Sequence, residues 1–309
     1  MTSSTTRPTI VVVGPTAGGK TAISVELARA LPGGGECVSA DSMQVYRGMD
    51  IGTATPTDQD RGGIPHHLLD IVEPDQPWTL DDWLVAATTT IAEIRNRGHW
   101  PILVGGTNLY VQAYLFGLLD GPAPDHALRG ELLAMDPADL RAELARRDPE
   151  AARRIHPNDR RRAVRALEYA RLTGTPLTAA QVQWNQTCRE EARILGLDWP
   201  TELINRRINA RVKDMMAAGL LDEVRQLVAS NRLGAQSAAA VGYAQLIEHL
   251  QGNCTLEEAV EQIKIRTRRL AKQQRTWLRK FRHLPRCLWV EPNGKSTQDI
   301  VSQAVTAFS

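Results

Sequence analysis

The apolar run TIVVV runs straight into GPTAGGKT, and this junction constrains the chain more than any other stretch. Thr9 to Val13 reads as a buried strand. Lys20 to Leu31 carries Ile23, Leu27 and Leu31 at helical spacing, and PGGG stops that helix. Between them, Gly14, Gly19, Lys20 and Thr21 fill every fixed position of GxxxxGK[ST]. Such a loop, Gly14, Pro15, Thr16, Ala17, Gly18 and Gly19, turns backbone N–H groups around a polyphosphate. The helix N-terminus adds partial positive charge. Lys20 offers a point charge, and the Thr21 hydroxyl can help hold Mg²⁺, directly or through water. The pattern specifies polyphosphate and Mg²⁺ but not whose phosphates: a kinase, an NTP-driven machine and an enzyme that expels diphosphate all fit.

The rest of the chain alternates strand and helix as far as about residue 120. ECVSA reads as a second strand, HHLLDIV as a third and WPILVGG as a fourth, with a helix over LDDWLVAATTTIAEIRNRG. That alternation implies a parallel α/β sheet. LDGPAPD then breaks the pattern, and an Ala- and Arg-rich helical stretch follows to about residue 180. ARILGLDW returns as a strand, and the remainder reads as mostly helical. The expected fold is therefore α/β. A P-loop NTPase-like parallel sheet core flanked by helices (1–120 and 190–309) is interrupted by a helical insertion domain (121–189).

Composition narrows the classes. With 309 residues and 42% hydrophobic content the chain can bury a sizeable core, and its formal net charge is only +2. Any nucleic-acid footprint must therefore come from segregated charge. MTSSTTRP carries no leader signal, and no apolar stretch approaches the roughly 20 residues of a membrane span, so a soluble cytoplasmic protein is expected. Cys37, Cys188, Cys254 and Cys287 are scattered, without zinc spacing, and read as reduced thiols. His66 and His67 form no metal set and read as core or pocket support.

Two features weigh against a motor or switch. A P-loop NTPase usually pairs its loop with an apolar strand ending in a Mg²⁺-holding Asp, but WPILVGGTNLY ends in Gly105-Gly106-Thr107, and Asp70 lies inside its run. Asp41, by contrast, falls at the carboxyl end of the second strand, beside the loop, where parallel sheets bind ligands. A carboxylate there can hold Mg²⁺ through water or accept a proton; it can equally be a helix N-cap. Asp50 is the weaker competitor.

GPTAGGKT, SADSMQVYRGMDIGTATP, PHHLLDI, LVGGTNLYV, ARRIHPNDRRRAVRALE, TGTPL, VGYAQL and RRLAKQQRTWLRKF occur in this order over most of residues 10 to 282. As an ordered set they closely resemble the tRNA dimethylallyltransferase (tRNA isopentenyltransferase) family. The resemblance implies transfer of a dimethylallyl group from dimethylallyl diphosphate to N6 of the adenosine 3′-adjacent to the anticodon. The loop would then hold a leaving group. It further implies Asp41 as general base and Thr107 as a holder of the target adenosine. Arg211, in RINARVKDMM, would face the diphosphate. Ser42, Met43 and Gln44 would lie in the RNA-contacting segment, with further tRNA contacts at Arg129 and at Arg161, Arg162, Ala163, Val164 and Arg165. The family usually has Ser at Gly18, Lys at Thr55, Gly at Asn108 and Arg at Gln273. The implied partners are dimethylallyl diphosphate and a tRNA anticodon stem-loop, with Mg²⁺ as cofactor and no obligate protein partner.

The charge pattern points the same way. Arg153 to Arg171 holds seven arginines against Asp159 and Glu168, and Lys264 to Arg286 holds ten Lys/Arg with no acid. Such helices can track phosphates, or be solvated faces. Trp277 reads as helix packing or a stacking platform. The competing readings are a small-molecule kinase using Asp41 to activate a hydroxyl, an adenine-nucleotide dimethylallyltransferase, and an RNA-binding module with a vestigial loop.

Overall fold

The computed structural model describes residues 7–118, 121–180, 188–189 and 192–308. Its contacts divide the chain into two compact units, Met1–Leu115 with Arg189–Ser309, and Phe116–Cys188. The second unit begins at Phe116, at the end of a helix, a few residues before the Pro/Gly-rich break that the sequence offers as a boundary.

The larger unit is a six-stranded, wholly parallel sheet flanked by helices, the P-loop NTPase-like arrangement. In chain order the strands are β1 (Thr9–Val13), β2 (Gly35–Ser39), β3 (His66–His67), β4 (Trp100–Gly105), β5 (Ala192–Leu197) and β6 (Cys287–Val290). They lie side by side as β3-β2-β4-β1-β5-β6. β1 sits inside the sheet with helices over both faces, and each of its five residues is buried, which is why it reads as an unbroken apolar run. Val13 pairs with Gly105, and Ser39 with Val104. The exits of β1, β4 and β2 are therefore in line at the carboxyl edge.

One expectation needs correction. The third strand is His66–His67 alone, because Leu68 (φ 61°) and Asp70 (φ 53°) take the left-handed conformation, which cannot continue a strand. Only an isolated bridge, Tyr46 to Val72, follows. The last part of the chain is mostly helical, with CLWV added as the edge strand β6, whose four residues are too few to stand out as a pattern.

The helices of this unit are α1 (Lys20–Ala30), α2 (Asp58–Arg61), α3 (Leu80–Asn96), α4 (Asn108–Phe116), and later α10 (Thr201–Ala217), α11 (Leu220–Ala229), α12 (Ala235–Ala238), α13 (Tyr243–Leu250), α14 (Leu256–Leu278) and α15 (Thr297–Phe308). α3 starts from a capping box of Thr79 and Asp82 and buries Trp83, Ala87, Ile91 and Ile94 down one face. Trp83 donates its indole N–H to Ser39 O at 2.9 Å and stacks on Tyr110 at 4.4 Å, bracing the exits of β2 and β4 together.

The smaller unit contains α5 (His126–Ala134), α6 (Pro137–Arg147), α7 (Pro149–Arg154), α8 (Arg160–Thr173) and α9 (Leu177–Ala180). Asp125, Asp136, Asp148 and Asp159 cap α5 to α8 by accepting backbone N–H groups of the first turns. Its core gathers Leu132, Leu140, Leu144, Ala163, Val164 and Leu167.

The segment after β2 makes no regular structure of its own and is pinned from α11. Glu223 accepts the backbone N–H groups of Asp50 (2.9 Å), Ile51 (2.8 Å) and Gly52 (3.1 Å), and the hydroxyl of buried Tyr243 at 2.5 Å. Burial and the Glu223 carboxylate push the Tyr243 hydroxyl well above the usual tyrosine range. Replacing Glu223 by alanine orphans these donors at once, and charge-assisted hydrogen bonds contribute roughly 1.5–3 kcal/mol each when lost. Glu223→Ala should lower unfolding free energy by about 3 kcal/mol in urea titration, and Tyr243→Phe by about 1 kcal/mol. Equal stability of Glu223→Ala and the parent would mean that water replaces the latch.

Candidate active site

The turn after β1 closes on itself and is held from outside. Gly18 N–H donates to Pro15 O at 3.1 Å, and Ala17 (φ 59°) and Gly19 (φ 83°) take left-handed conformations to reach α1. An added Cβ at Gly18 would stand 2.7 Å from Pro15 O. The serine more usual at this position would therefore have to open the turn slightly. Two carbonyls of the loop face outward and are satisfied there: Trp199 donates its indole N–H to Gly18 O (3.0 Å), and Arg207 donates to Ala17 O (2.8 Å) while lying over the Trp199 ring at 4.7 Å.

Lys20, in the first turn of α1, donates to Gly14 O (3.1 Å) and Pro15 O (3.0 Å). Burial pulls its pKa down to about 8; Asp41 works against that and Arg211 adds to it. Burial likewise lowers Arg211, with Asp41 opposing and Arg207 assisting. These shifts place Lys20, Asp41 and Arg211 in one electrostatic neighbourhood, with Arg211 brought in by α10. The Thr21 hydroxyl makes no hydrogen bond among the described residues. It stands at the N-terminus of α1, so a hard cation could take it as an oxygen ligand beside phosphate oxygens. Among the described residues no group of three His, Cys, Asp or Glu could hold a metal ion.

Asp41 lies two residues past β2. Its Oδ1 accepts the N–H of Met43 at 2.9 Å, an Asx-type turn that orients the carboxylate; among the described residues Oδ2 takes no hydrogen bond. It caps no helix. Thr107 sits next to it, because Thr107 N–H donates to Ala40 O (3.1 Å) and Thr107 Oγ accepts the N–H of Ser42 (3.0 Å). The Thr107 carbonyl begins α4, accepting from Tyr110 and Val111, but its hydroxyl donates to Ser42 Oγ (3.3 Å) rather than capping the helix.

The remaining expected contacts divide. Gln44 is engaged internally: Oε1 accepts from Ser39 Oγ, and Nε2 donates to Thr53 O and Ala54 O. Met43 is half-buried against the core. In the helical unit, Ala163 and Val164 are 6% and 5% exposed, within the core of that unit. This corrects the expectation of side-chain contacts from them, because α8 turns those two positions inward. Arg129 and Arg165 both hold Glu168, which is fully buried. Burial alone would raise the Glu168 carboxyl, but the two guanidiniums overcome it and hold it below the usual range. Arg162 pairs with Asp159 at 3.3 Å, while Arg153 and Arg161 are exposed and, among the described residues, have no side-chain partner.

On α14 the run of cations is partly answered by acids outside it. Lys264 and Arg268 pair with Glu261, and Arg282 with Asp198. Arg266, Arg269, Lys272 and Arg279 are exposed and, among the described residues, unpaired. Trp277 is half-buried under Lys280, whose ammonium lies 4.9 Å from the ring centre. His67 Nε2 donates to the Glu36 carboxylate at 2.6 Å, and His66 Nδ1 donates to Ile64 O, both as structural supports. Among the described residues none of the four cysteines forms a disulfide. Trp199, Arg207, Gln274 and Glu223 escape sequence reading, since none belongs to a local motif.

Residues 44–281 match the family model described as IPP transferase. The tRNA dimethylallyltransferase of Corynebacterium jeikeium is 45% identical over 314 residues, covering 100% of this chain and 99% of that relative. That of Shouchella clausii is 45% identical over 300 residues and covers 94% of each. Among solved structures, the full-length tRNA isopentenylpyrophosphate transferase of Bacillus halodurans aligns with a TM-score of 0.71 at 39% identity, over 98% of this chain and 97% of that one. A eukaryotic dimethylallyltransferase acting on tRNA aligns with a TM-score of 0.81 at 28% identity, over 96% of this chain and 78% of that one.

Two outcomes follow from the geometry. Lys20 is charged below about pH 8 and loses its proton above it, so binding of inorganic diphosphate should weaken as pH rises through that value. A bound anion shifts the midpoint upward. Relative to Lys20→Arg, which stays charged, wild-type affinity should drop about tenfold between pH 7.5 and 9.5 in calorimetry. A constant ratio would show that the ammonium does not meet the anion. In the helical unit, Arg129→Ala leaves a buried carboxylate half-paired and should cost about 3 kcal/mol of stability in chemical denaturation; an unchanged transition would make the pair dispensable.

Proposed function

The chain belongs to the IPP transferase family, and on that premise we propose that it is a tRNA dimethylallyltransferase. It transfers a dimethylallyl group from dimethylallyl diphosphate to N6 of the adenosine 3′-adjacent to the anticodon and releases diphosphate. The observation that carries this reading is the convergence of Lys20, Asp41, Thr107 and Arg211 at one sheet edge. A diphosphate cradle there abuts a carboxylate with one unengaged oxygen.

The reaction makes one C–N bond and breaks one C–O bond. The N6 lone pair attacks the allylic carbon that carries the diphosphate oxygen, and the diphosphate leaves with the bonding electrons. Negative charge grows on its oxygens, where the loop N–H groups, Lys20 and Arg211 stabilise it. Thr21 would hold Mg²⁺, directly or through water, and the ion would neutralise further charge on the leaving group. The amine proton passes to Asp41 Oδ2, since Oδ1 is occupied by Met43 N–H. Thr107, held by Ser42, presents its hydroxyl region to the adenosine.

The adenine must leave its stack to reach this recess, as it does in enzymes that flip bases. A single-stranded anticodon loop suits that demand. Phosphate contacts come from exposed, unpaired cations: Arg266, Arg269 and Lys272 on α14, and Arg153 and Arg161 in the helical unit. Arg129 and Arg165, committed to Glu168, serve mainly to order that unit. The setting is the cytoplasm, where tRNA and the isoprenoid donor meet, and among the described residues no helix is long and apolar enough to cross a membrane.

Single-turnover transfer from labelled dimethylallyl diphosphate with Mg²⁺, offered to an anticodon stem-loop and to AMP in parallel, tests the reading. Label at the target N6 is expected. Label in AMP alone would make the chain a nucleotide prenyltransferase, and ATP turnover without transfer would return the loop to a kinase. Asp41→Ala should reduce transfer by at least about 10²-fold, the lower range for a lost proton acceptor, with stem-loop binding unchanged. Loss of both together would give Asp41 a structural role instead.

A further inference from the structure

We propose that Gln274 is a positioning residue that fixes the distance between the diphosphate loop and the turn that holds the target adenosine. The inference rests on the function proposed above. Gln274 projects from α14 and is 6% exposed. Its Oε1 accepts the N–H of Thr16, in the phosphate loop, at 2.8 Å. Its Nε2 donates to Gly106 O, one residue before Thr107, at 2.9 Å. One amide thus joins the donor side of the site to the acceptor side.

The chemistry of the side chain suits the task. A primary amide accepts at one end and donates at the other in a single plane. A carboxylate cannot donate, and asparagine is one methylene shorter. The bridge itself is anchored, because Asn108 at the start of α4 donates to the main-chain carbonyl of Gln274 at 3.1 Å. Glycine here usually fills position 108 in the family, so this chain carries one more tie. Gly106 is squeezed between the bridge and the loop: a Cβ there would lie 2.5 Å from Gln274 Nε2 and 3.6 Å from Lys20 Nζ.

The bridge also selects which loop N–H groups meet phosphate. Thr16 N–H is taken by Gln274 and Gly18 N–H by Pro15 O. Diphosphate must then be met by groups further along, at the start of α1, where the Lys20 ammonium also lies. Releasing the amide frees two neighbouring turns to drift apart while each keeps its own substrate-binding groups. The expected signature is therefore a loss in transfer with little loss in binding. A misplacement of about 1 Å at reacting atoms can cost on the order of 10²-fold in rate.

The test compares Gln274→Ala and the near-isosteric Gln274→Glu with wild type. It uses single-turnover transfer to the anticodon stem-loop, separate Kd values for dimethylallyl diphosphate and stem-loop, and thermal midpoints. Gln274→Ala should slow transfer by about 100-fold with both Kd values within about threefold of wild type. Gln274→Glu keeps the acceptor for Thr16 but sets a carboxylate oxygen against Gly106 O, so donor binding should hold while transfer falls at least tenfold. Should the alanine variant fail to fold, the glutamate variant decides. Transfer within threefold of wild type in a folded variant overturns the proposal. So does a donor Kd that rises by the same factor as the rate falls, since Gln274 would then shape the phosphate loop alone. Absence of transfer in wild type would sink the proposed function and this inference with it, whereas loss confined to neither variant sinks only the bridge.

Discussion

The alignment of three neighbouring strand ends is the constraint on which the candidate site depends. β2, β4 and β1 are adjacent and parallel, with Ser39 opposite Val104 and Val13 opposite Gly105. Parallel strands send all their exits to one edge, so the Asp41 turn, the Gly105-Gly106-Thr107 turn and the phosphate loop emerge in a row. The order matters more than the fold class. β4 separates β2 from β1, and this puts Thr107 between the carboxylate and the phosphate loop. Had β2 paired directly with β1, no turn would lie there to hold an acceptor. Gly105 makes this close packing workable, since a Cβ there would collide with Ala40.

The strand ends alone would leave three irregular turns with little to hold them. Each is braced by a side chain from elsewhere. Trp83 fixes the end of β2, Trp199 and Arg207 hold two carbonyls of the phosphate loop, and Gln274 holds the Gly106 carbonyl. The loop carbonyls are satisfied from outside the turn, which keeps them out of competition with an anion. The charges obey the same logic. Asp41 is the one acid, among the described residues, that acts on both Lys20 and Arg211. Burial lowers the pKa of both cations, and neither meets enough negative charge to reverse that. A dianionic leaving group is the natural complement of such an excess.

What the sequence made legible follows from the range of the interactions. The phosphate loop could be read because its turn chemistry is local: strand, glycines, lysine and helix are contiguous. Asp41 could be read because strand β2 is short and the acid lies two residues past its end. Thr107 and Arg211 entered only through resemblance, since nothing in GGT or RINAR announces a substrate. Gln274 and Trp199 stayed hidden for a different reason. Their partners lie 258 and 181 residues away, and no periodicity encodes such a pairing. The failures are equally physical. HHLLDIV has strand composition, but Leu68 and Asp70 adopt left-handed backbone that composition does not reveal. Ala163 and Val164 sit inside a basic block, yet the helical period turns them into the core.

The distribution of paired and unpaired cations decides where the chain can attract a polyanion. Formal counts suggest two comparable basic stretches, but most of the arginines between Arg153 and Arg171 are answered by Glu150, Asp159, Glu168, Glu131 and Glu143, or by carbonyls in the case of Arg160. Their role is to hold five short helices around a small core, a task that an Ala-rich unit of this size cannot assign to apolar burial alone. α14 differs. Its acids are confined to the first turns, Glu257, Glu258 and Glu261, and from Arg266 onward the exposed cations lack carboxylates within the helix. The same helix buries Gln274 against both substrate turns. One element thus presents net positive charge to solvent and contacts the site on its inner face. RNA held by its outer face would bear on the helix that sets the spacing within.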